Sequence, residues 1–268
     1  MTVPAATPAP VSPGAASTTP LAPAAPPAAA TPPPASPAGR LRWARFLPAT
    51  VAEGPGRRAA LWVQGCRIHC PGCFNPELWA ARGGRVDDPA ALAARLLAQA
   101  QDGGVEGLTL LGGEPFDQAA ALAVVARAFR EAGLTVMTFT GYRHPSLTAW
   151  ADDGREDVAA LLAATDLLVD GPYLRDHPDR RRPWLGSTNQ GLRALTPAYA
   201  AEVARLEREG GADRVELRLT RDGGIEVNGW AEVAALEELL DGLDGARLAR
   251  LRRPTGPHLT RTTEGAPR

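Results

Sequence analysis

The chain has 268 residues, 44% hydrophobic and 22% charged, enough for one good-sized core or two smaller ones. A net charge of −1 and a sequence pI near 6.4 give no sign of nucleic-acid binding or of attraction to a membrane surface. No apolar run approaches the roughly 20 residues needed to span a bilayer.

Residues 1–39 are nearly all Ala, Pro, Thr and Ser, a composition with no face to bury, and predict a disordered, partly extended tail. Order is expected to begin near Leu41. The segment 59-AALWVQG-65 reads as a short buried strand ending in glycine. In 88-DPAALAARLLAQA-100, Asp88 is placed as N-cap, Pro89 at the first helical position, and the leucines at helical spacing. A second strand, 107-GLTLLGG-113, leads into an alanine-rich helix over 117–133, which stops at a glycine. A third strand, 135-TVMTFTG-141, precedes a helical stretch that includes 157–165, and 166-DLLVDGP-172 is a fourth strand. Strands alternating with helices imply α/β architecture built from parallel β-α units. Beyond them, 214-RVELRLTRDGGIEVNGW-230 reads as a β-hairpin turning at Asp222-Gly223-Gly224, and 231–243 as an amphipathic helix. The predicted organisation is a tail over 1–39, a core over 40–196 and a C-terminal extension over 197–268 with helix, hairpin, helix and a flexible end.

All three cysteines fall in 65-GCRIHCPGCFNPELW-79, spaced C-x3-C-x2-C as Cys66, Cys70 and Cys73. Three thiols cannot close a disulfide framework, because one is always left over. A reducing, cytoplasmic compartment suits them, and the N-terminus lacks the basic and apolar regions of a secretory signal. Thiolates favour soft metals, and structural zinc takes four protein ligands. His69 is a conceivable fourth ligand, but it adjoins Cys70, and neighbouring residues rarely converge on one metal. Three ligands with an open position suit a catalytic metal or an iron–sulfur cluster with one uncapped iron. A zinc knot or reduced bystander thiols remain the alternatives.

The same stretch resembles the radical S-adenosylmethionine (SAM) superfamily, whose signature is C-x3-C-x2-C after a first strand. More narrowly, 54-GPGRRAALWVQGCRIHCPGCFNPELW-79 is similar to the activating proteins of anaerobic ribonucleoside-triphosphate reductases. Gly54, Pro55, Gly56 and Arg58 match their G-P-G-x-R; Cys66, Cys70, Pro71, Gly72, Cys73, Phe74 and Asn75 match their cluster motif. His69 is out of register with the family histidine and takes no role. The run 109-TLLGGEPFDQ-118 carries the Gly-Gly-Glu-Pro of radical SAM proteins at a strand end, where bare backbone admits a ligand. Downstream, 138-TFTGY-142, 168-LVDGPY-173 and 186-GSTNQ-190 resemble further family segments in the family's order.

The resemblance, covering roughly residues 43–193, implies a partial open (β/α) barrel with a small C-terminal hairpin-helix extension. It implies a [4Fe-4S] cluster on Cys66, Cys70 and Cys73, and SAM beside Gly72, Phe74, Gly112, Gly113, Glu114 and Pro115, with Thr140 and Asp170 on the SAM or substrate side. For Phe74 a core position, for Thr140 a strand cap and for Asp170 a turn cap are the structural alternatives. The implied activity is reductive SAM cleavage to a 5′-deoxyadenosyl radical, which installs a glycyl radical on an anaerobic ribonucleotide reductase; flavodoxin or ferredoxin would be the electron donor. The deoxyadenosyl radical carries the chemistry, so no catalytic side chain is implied. Leu185 stands where the family commonly has arginine, and the chain continues well past the last motif. A radical SAM enzyme acting on another peptide or a small molecule therefore stays open, as does an iron–sulfur electron-transfer or binding protein.

Overall fold

The computed structural model describes residues 31–35, 39–219 and 225–229. A predicted tail over 1–39 and a predicted helix over 231–243 lie almost wholly outside the described residues. The chain builds a mixed seven-stranded sheet with helices packed on it. In chain order the strands are β1 (Leu41–Thr50), β2 (Arg58–Val63), β3 (Arg85–Asp87), β4 (Gly107–Gly112), β5 (Thr135–Phe139), β6 (Leu167–Asp170) and β7 (Gly191–Ala194). Their order across the sheet is β3-β1-β2-β4-β5-β6-β7. The four expected strands β2, β4, β5 and β6 are parallel neighbours, with Arg58 opposite Gly107 and Val63 opposite Gly112. Antiparallel strands that the sequence pattern did not reveal flank them: β1 and β3 on one side, β7 on the other.

Alternation along the strands sorts two apolar faces. Ala59, Leu61 and Val63 of β2, Leu108 and Leu110 of β4, and Val136 and Leu168 join one core cluster. Helices α1 (Pro89–Asp102), α2 (Ala119–Glu131), α3 (His144–Asp152) and α4 (Glu156–Ala163) supply its other half through Leu92, Leu96, Leu122, Phe129, Trp150 and Leu161. Each such large apolar side chain contributes about 1.5–3 kcal/mol on burial. The intervening residues Ala60, Trp62 and Leu111 face the opposite way, as do Met137, Leu167 and Val169, and gather with Leu78, Leu185, Leu192 and Leu206. Strands covered on both faces read as continuous apolar runs, which explains 59-AALWV-63.

Asp88 caps α1 as expected, accepting from the amides of Ala90 and Ala91 at 3.0 and 2.9 Å. The helix expected from 117 begins at Ala119, because Pro115 starts a 3-10 turn over Pro115–Gln118 first. After β7, a 3-10 turn (Pro197–Tyr199) leads into α5 (Ala200–Glu209). Strands β8 (Val215–Leu219) and β9 (Ile225–Gly229) then form a separate antiparallel pair; their predicted turn at 222–224 lies outside the described residues. No helix among the described residues is long and apolar enough to cross a membrane.

Arg58 locks the start of the parallel strands. Its guanidinium is fully buried and donates to Thr109 Oγ1 (2.9 Å), Leu108 O (2.8 Å), Thr135 Oγ1 (3.0 Å), Thr135 O (3.1 Å) and the Tyr199 hydroxyl (2.8 Å). One side chain thus ties β2, β4 and β5 to the turn before α5. Arg58→Ala strands buried acceptors and opens a cavity, so urea unfolding is expected to register a loss of at least about 3 kcal/mol. Tyr199→Phe, which removes its bond with Arg58 and the one between the Tyr199 and Thr135 hydroxyls (2.7 Å), is expected to cost about 2 kcal/mol.

Candidate functional site

The cysteines occupy a loop at the C-terminal end of β2, where parallel α/β sheets collect ligands. Its neck is closed by backbone bonds from Gly65 N to Leu78 O (2.8 Å) and from Cys66 N to Trp79 O (3.1 Å). The Gln64 amide donates to Glu77 O and Ala80 O at 3.1 and 2.9 Å. Within the loop, Cys73 N donates to Cys70 O (3.0 Å), a turn that needs the left-handed φ of +79° at Gly72. All three thiols are free and half-buried. His69 stacks on Trp79 with ring centroids 4.8 Å apart.

Among the described residues no three His, Cys, Asp or Glu side chains already converge on a common point. The donor set nevertheless fits a soft metal centre: three thiols on one anchored loop, with Asn75 N donating to Cys73 Sγ at 3.4 Å. Burial, reinforced by Glu114, pushes the Cys66 thiol up to about 12, and burial also raises Cys70 against the pull of the Tyr173 amide. A bound metal must therefore displace these protons.

The glycine-rich turn after β4 is joined to this loop. Gly113 N donates to Val63 O (2.9 Å) and Glu114 N to Gly65 O (2.8 Å). A Cβ on Gly113 would lie 2.2 Å from Gly65 O, so glycine is required by close approach of two backbones. The buried Glu114 carboxylate accepts from Phe116 N (2.9 Å), Thr140 Oγ1 (2.7 Å) and Gly141 N (2.9 Å), linking the ends of β4 and β5. Burial, then Asp117, raises it to about 8. Asp117 accepts from Arg67 N (3.1 Å) and the Tyr142 hydroxyl (2.8 Å), joining the cysteine loop to the next turn.

Gly72, Phe74, Gly112, Gly113, Glu114, Pro115 and Thr140 thus lie in or beside one assembly with the cysteines. Thr140 is spent on Glu114. Asp170 is engaged elsewhere: its oxygens accept from His144 N at the start of α3 (2.8 Å) and from Arg193 Nε (2.6 Å). That is the capping role its type allows. Phe74 packs against Tyr173 with centroids 4.8 Å apart, and the pair rests on Gly186. The 186–190 motif is a brace: Gln190 Oε1 accepts from Gly186 N (2.9 Å) and Ser187 N (3.0 Å), while its amide donates to Gly171 O (3.0 Å).

A cavity of about 200 Å³ opens on the face away from α1–α4, beside the cysteine loop. Trp62, Leu111, Gly112 and Phe139 from the parallel strands line it, with Phe74 and Asn75 from the loop and Leu185 from the last motif. Tyr173, Trp184 and Gln190 also line it, as do Glu53, Asp213 and Gly229, which no motif had singled out.

Residues 52–193 match the family model described as "4Fe-4S single cluster domain", which defines the class: a protein with one iron–sulfur cluster domain. Among similar proteins is the anaerobic ribonucleoside-triphosphate reductase-activating protein of Salmonella typhi, 31% identical over 161 residues, or 58% of this chain and 99% of the relative. The protein of that name from Vibrio cholerae is 32% identical over 162 residues (58% and 99%), and that of Enterobacteria phage T4 is 30% identical over 156 residues (57% and 93%). The chain belongs to the family of anaerobic ribonucleoside-triphosphate reductase-activating proteins.

Proposed function

We propose that the chain is a radical SAM activase that installs a glycyl radical on an anaerobic ribonucleotide reductase. The observation that carries this reading is the pair of backbone bonds fastening the Gly-Gly-Glu-Pro turn to the end of β2 and to the first residue of the cysteine loop, beside a cavity at the ends of the parallel strands. In this reading Cys66, Cys70 and Cys73 hold the [4Fe-4S] cluster, and SAM lies against Gly72, Phe74, Gly112 and Gly113. Cluster and SAM together supply the chemistry, a one-electron reductive cleavage giving a 5′-deoxyadenosyl radical.

The protein's part is positional. The anchored neck holds the thiols at the strand ends. The Glu114 carboxylate fixes the β4 and β5 turns relative to each other, and aromatic walls from Trp62, Phe74 and Phe139 keep water from a reactive centre. Thr140 acts through Glu114, and Asp170 through the start of α3. The four parallel strands, with α1–α4 on one face and α5 over part of the other, fit a partial open barrel. We assign residues 40–196 to that core, 197–268 to an extension and 1–39 to a tail, with flavodoxin or ferredoxin as reductant in the cytoplasm.

The test is anaerobic reconstitution with iron and sulfide, reduction with dithionite in the presence of SAM, and chromatography for 5′-deoxyadenosine. Product is expected, as is a glycyl-radical electron paramagnetic resonance signal once the partner reductase is added. Protein that binds zinc and no iron, or that carries a cluster yet yields no deoxyadenosine, overturns the proposal.

A further inference from the structure

One wall of the cavity comes from outside the family match. Strands β8 and β9 dock on the turn after β1: Thr50 Oγ1 donates to Glu216 Oε2 (2.6 Å), Asn228 Nδ2 donates to Thr50 Oγ1 (2.9 Å), and Gly229 abuts Ala52. This docking sets Asp213 and Gly229 beside Glu53 in the lining, whereas the family match ends at residue 193.

Two carboxylates, Glu53 and Asp213, face this cavity, beside the side-chain amides of Asn75 and Gln190 and the Tyr173 hydroxyl. Asn75 Oδ1 is buried with no hydrogen-bond partner. Asp213 accepts from the Trp184 amide at 2.7 Å through Oδ1, and among the described residues it has no cationic partner. Around Glu53 stand Arg45 of β1, Asp213, Glu216 of β8 and the Gly229 amide of β9; around Asp213 stand Asp179 and the Trp184 amide. Arg45 offsets Glu53 and itself lies over the Trp62 ring at 4.6 Å. Glu216 is paired with Arg218 at 3.0 Å, and Asp179 with Arg182 at 2.7 Å. Among the described residues this leaves Asp213 as an uncompensated negative charge. Leu185 adds no cation to the wall.

One acceptor left without a donor, a surplus negative charge and aromatic sides call for a ligand that brings a donor, positive charge and an apolar stem. We propose that the Glu53–Asp213 wall, completed by the segment after α5, is a specificity subsite for a basic side chain of the polypeptide substrate. The occupant's being a polypeptide rests on the activase reading above. An arginine fits the chemistry: its stem packs on the aromatic sides, and its fork donates to the Asp213 and Asn75 oxygens. A neutral side chain there leaves the Asp213 charge uncompensated, which is what makes the wall selective.

Calorimetry on the reconstituted, SAM-loaded protein tests this. The probes are blocked glycine hexapeptides with one arginine at each position in turn, paired with citrulline versions of the same shape and no charge. At one register the arginine peptide is expected to bind at least about tenfold more tightly than its citrulline twin at pH 8.5. Asp213→Asn keeps an acceptor for Trp184 N–H and is expected to bring that ratio close to one, with SAM affinity unchanged. Glu53 is pushed up by burial to about 7, so it is charged only above that pH. The arginine preference is therefore expected to grow as pH rises through 7, and this step is expected to vanish in Glu53→Gln. A packing role would produce neither charge selectivity nor the pH step.

Equal binding of both peptide series by the wild type overturns the proposal. So does an arginine preference that survives in Asp213→Asn, or a tenfold loss of SAM affinity in that variant, which would assign the carboxylate to the cofactor. Deoxyadenosine measured in the same samples separates the two readings: discrimination without SAM cleavage keeps the subsite and removes the radical chemistry.

Discussion

Cys70→Ala is expected to leave the metal-free fold unchanged while abolishing the iron–sulfur centre and all deoxyadenosine formation. The three thiols are half-buried and belong to none of the apolar clusters. What holds their loop is main chain: the neck bonds at Gly65 and Cys66 and the turn from Cys73 N to Cys70 O. Truncating one side chain touches none of these, so the urea midpoint of metal-free protein should move by no more than about 0.5 kcal/mol. A three-ligand cluster has no spare thiolate, since the chain holds only three cysteines. Iron content after reconstitution and the visible absorption of the cluster should both fall to background. Cys66→Ala and Cys73→Ala are expected to behave alike, whereas His69→Ala, which removes a ring stacked on Trp79, should retain iron. A variant lacking Cys70 that still carries a four-iron cluster and cleaves SAM would refute the ligand assignment.

The central strands were legible in the sequence for a physical reason. Each is buried on both faces, so each reads as a mainly apolar run between turn residues, broken only by the buried Thr109 in β4 and Thr138 in β5. Strand β1 was hidden because its alternation is broken: the pairing with β2 shifts between Trp43 and Arg45 and again between Leu47 and Thr50, around Pro48. Strands β3 and β7, with 3 and 4 residues, are too short to show a period. The site divided along similar lines. Its local parts, the cysteine loop and the glycine turn, were readable from spacing. Arg58 was visible only as a motif match, and its five hydrogen bonds give it a purely structural duty. Glu53 and Asp213 meet across 160 residues of chain through the docking of β8 and β9, and nothing in either local sequence marks that encounter.

Gly113→Ala is the sharper probe of how the cysteine loop and the glycine turn act as one unit. The added methyl would stand 2.2 Å from Gly65 O, 2.8 Å from Gly65 C and 3.1 Å from Gly65 N. These are backbone atoms, so no rotamer change relieves the contact; one turn must move from the other. Moving them apart strains the bonds from Glu114 N to Gly65 O and from Gly113 N to Val63 O, which register Cys66 against the end of β4. Overpacking of this kind is expected to cost at least about 2 kcal/mol in urea unfolding. The larger effect should fall on chemistry. With all three cysteines retained, the folded variant should still take up iron, yet a shift of about 1 Å between reacting groups is enough to lower deoxyadenosine formation on the order of a hundredfold. Gly133→Ala is the control, because Gly133 has a φ of +81° and no atom within 4 Å of its virtual Cβ. Its cost is conformational alone, about 1–2 kcal/mol, with full cleavage activity per iron. If Gly113→Ala matched this control in both stability and activity, the cysteine loop and the glycine turn would be independent, and the contact at Gly65 would carry no part of the function.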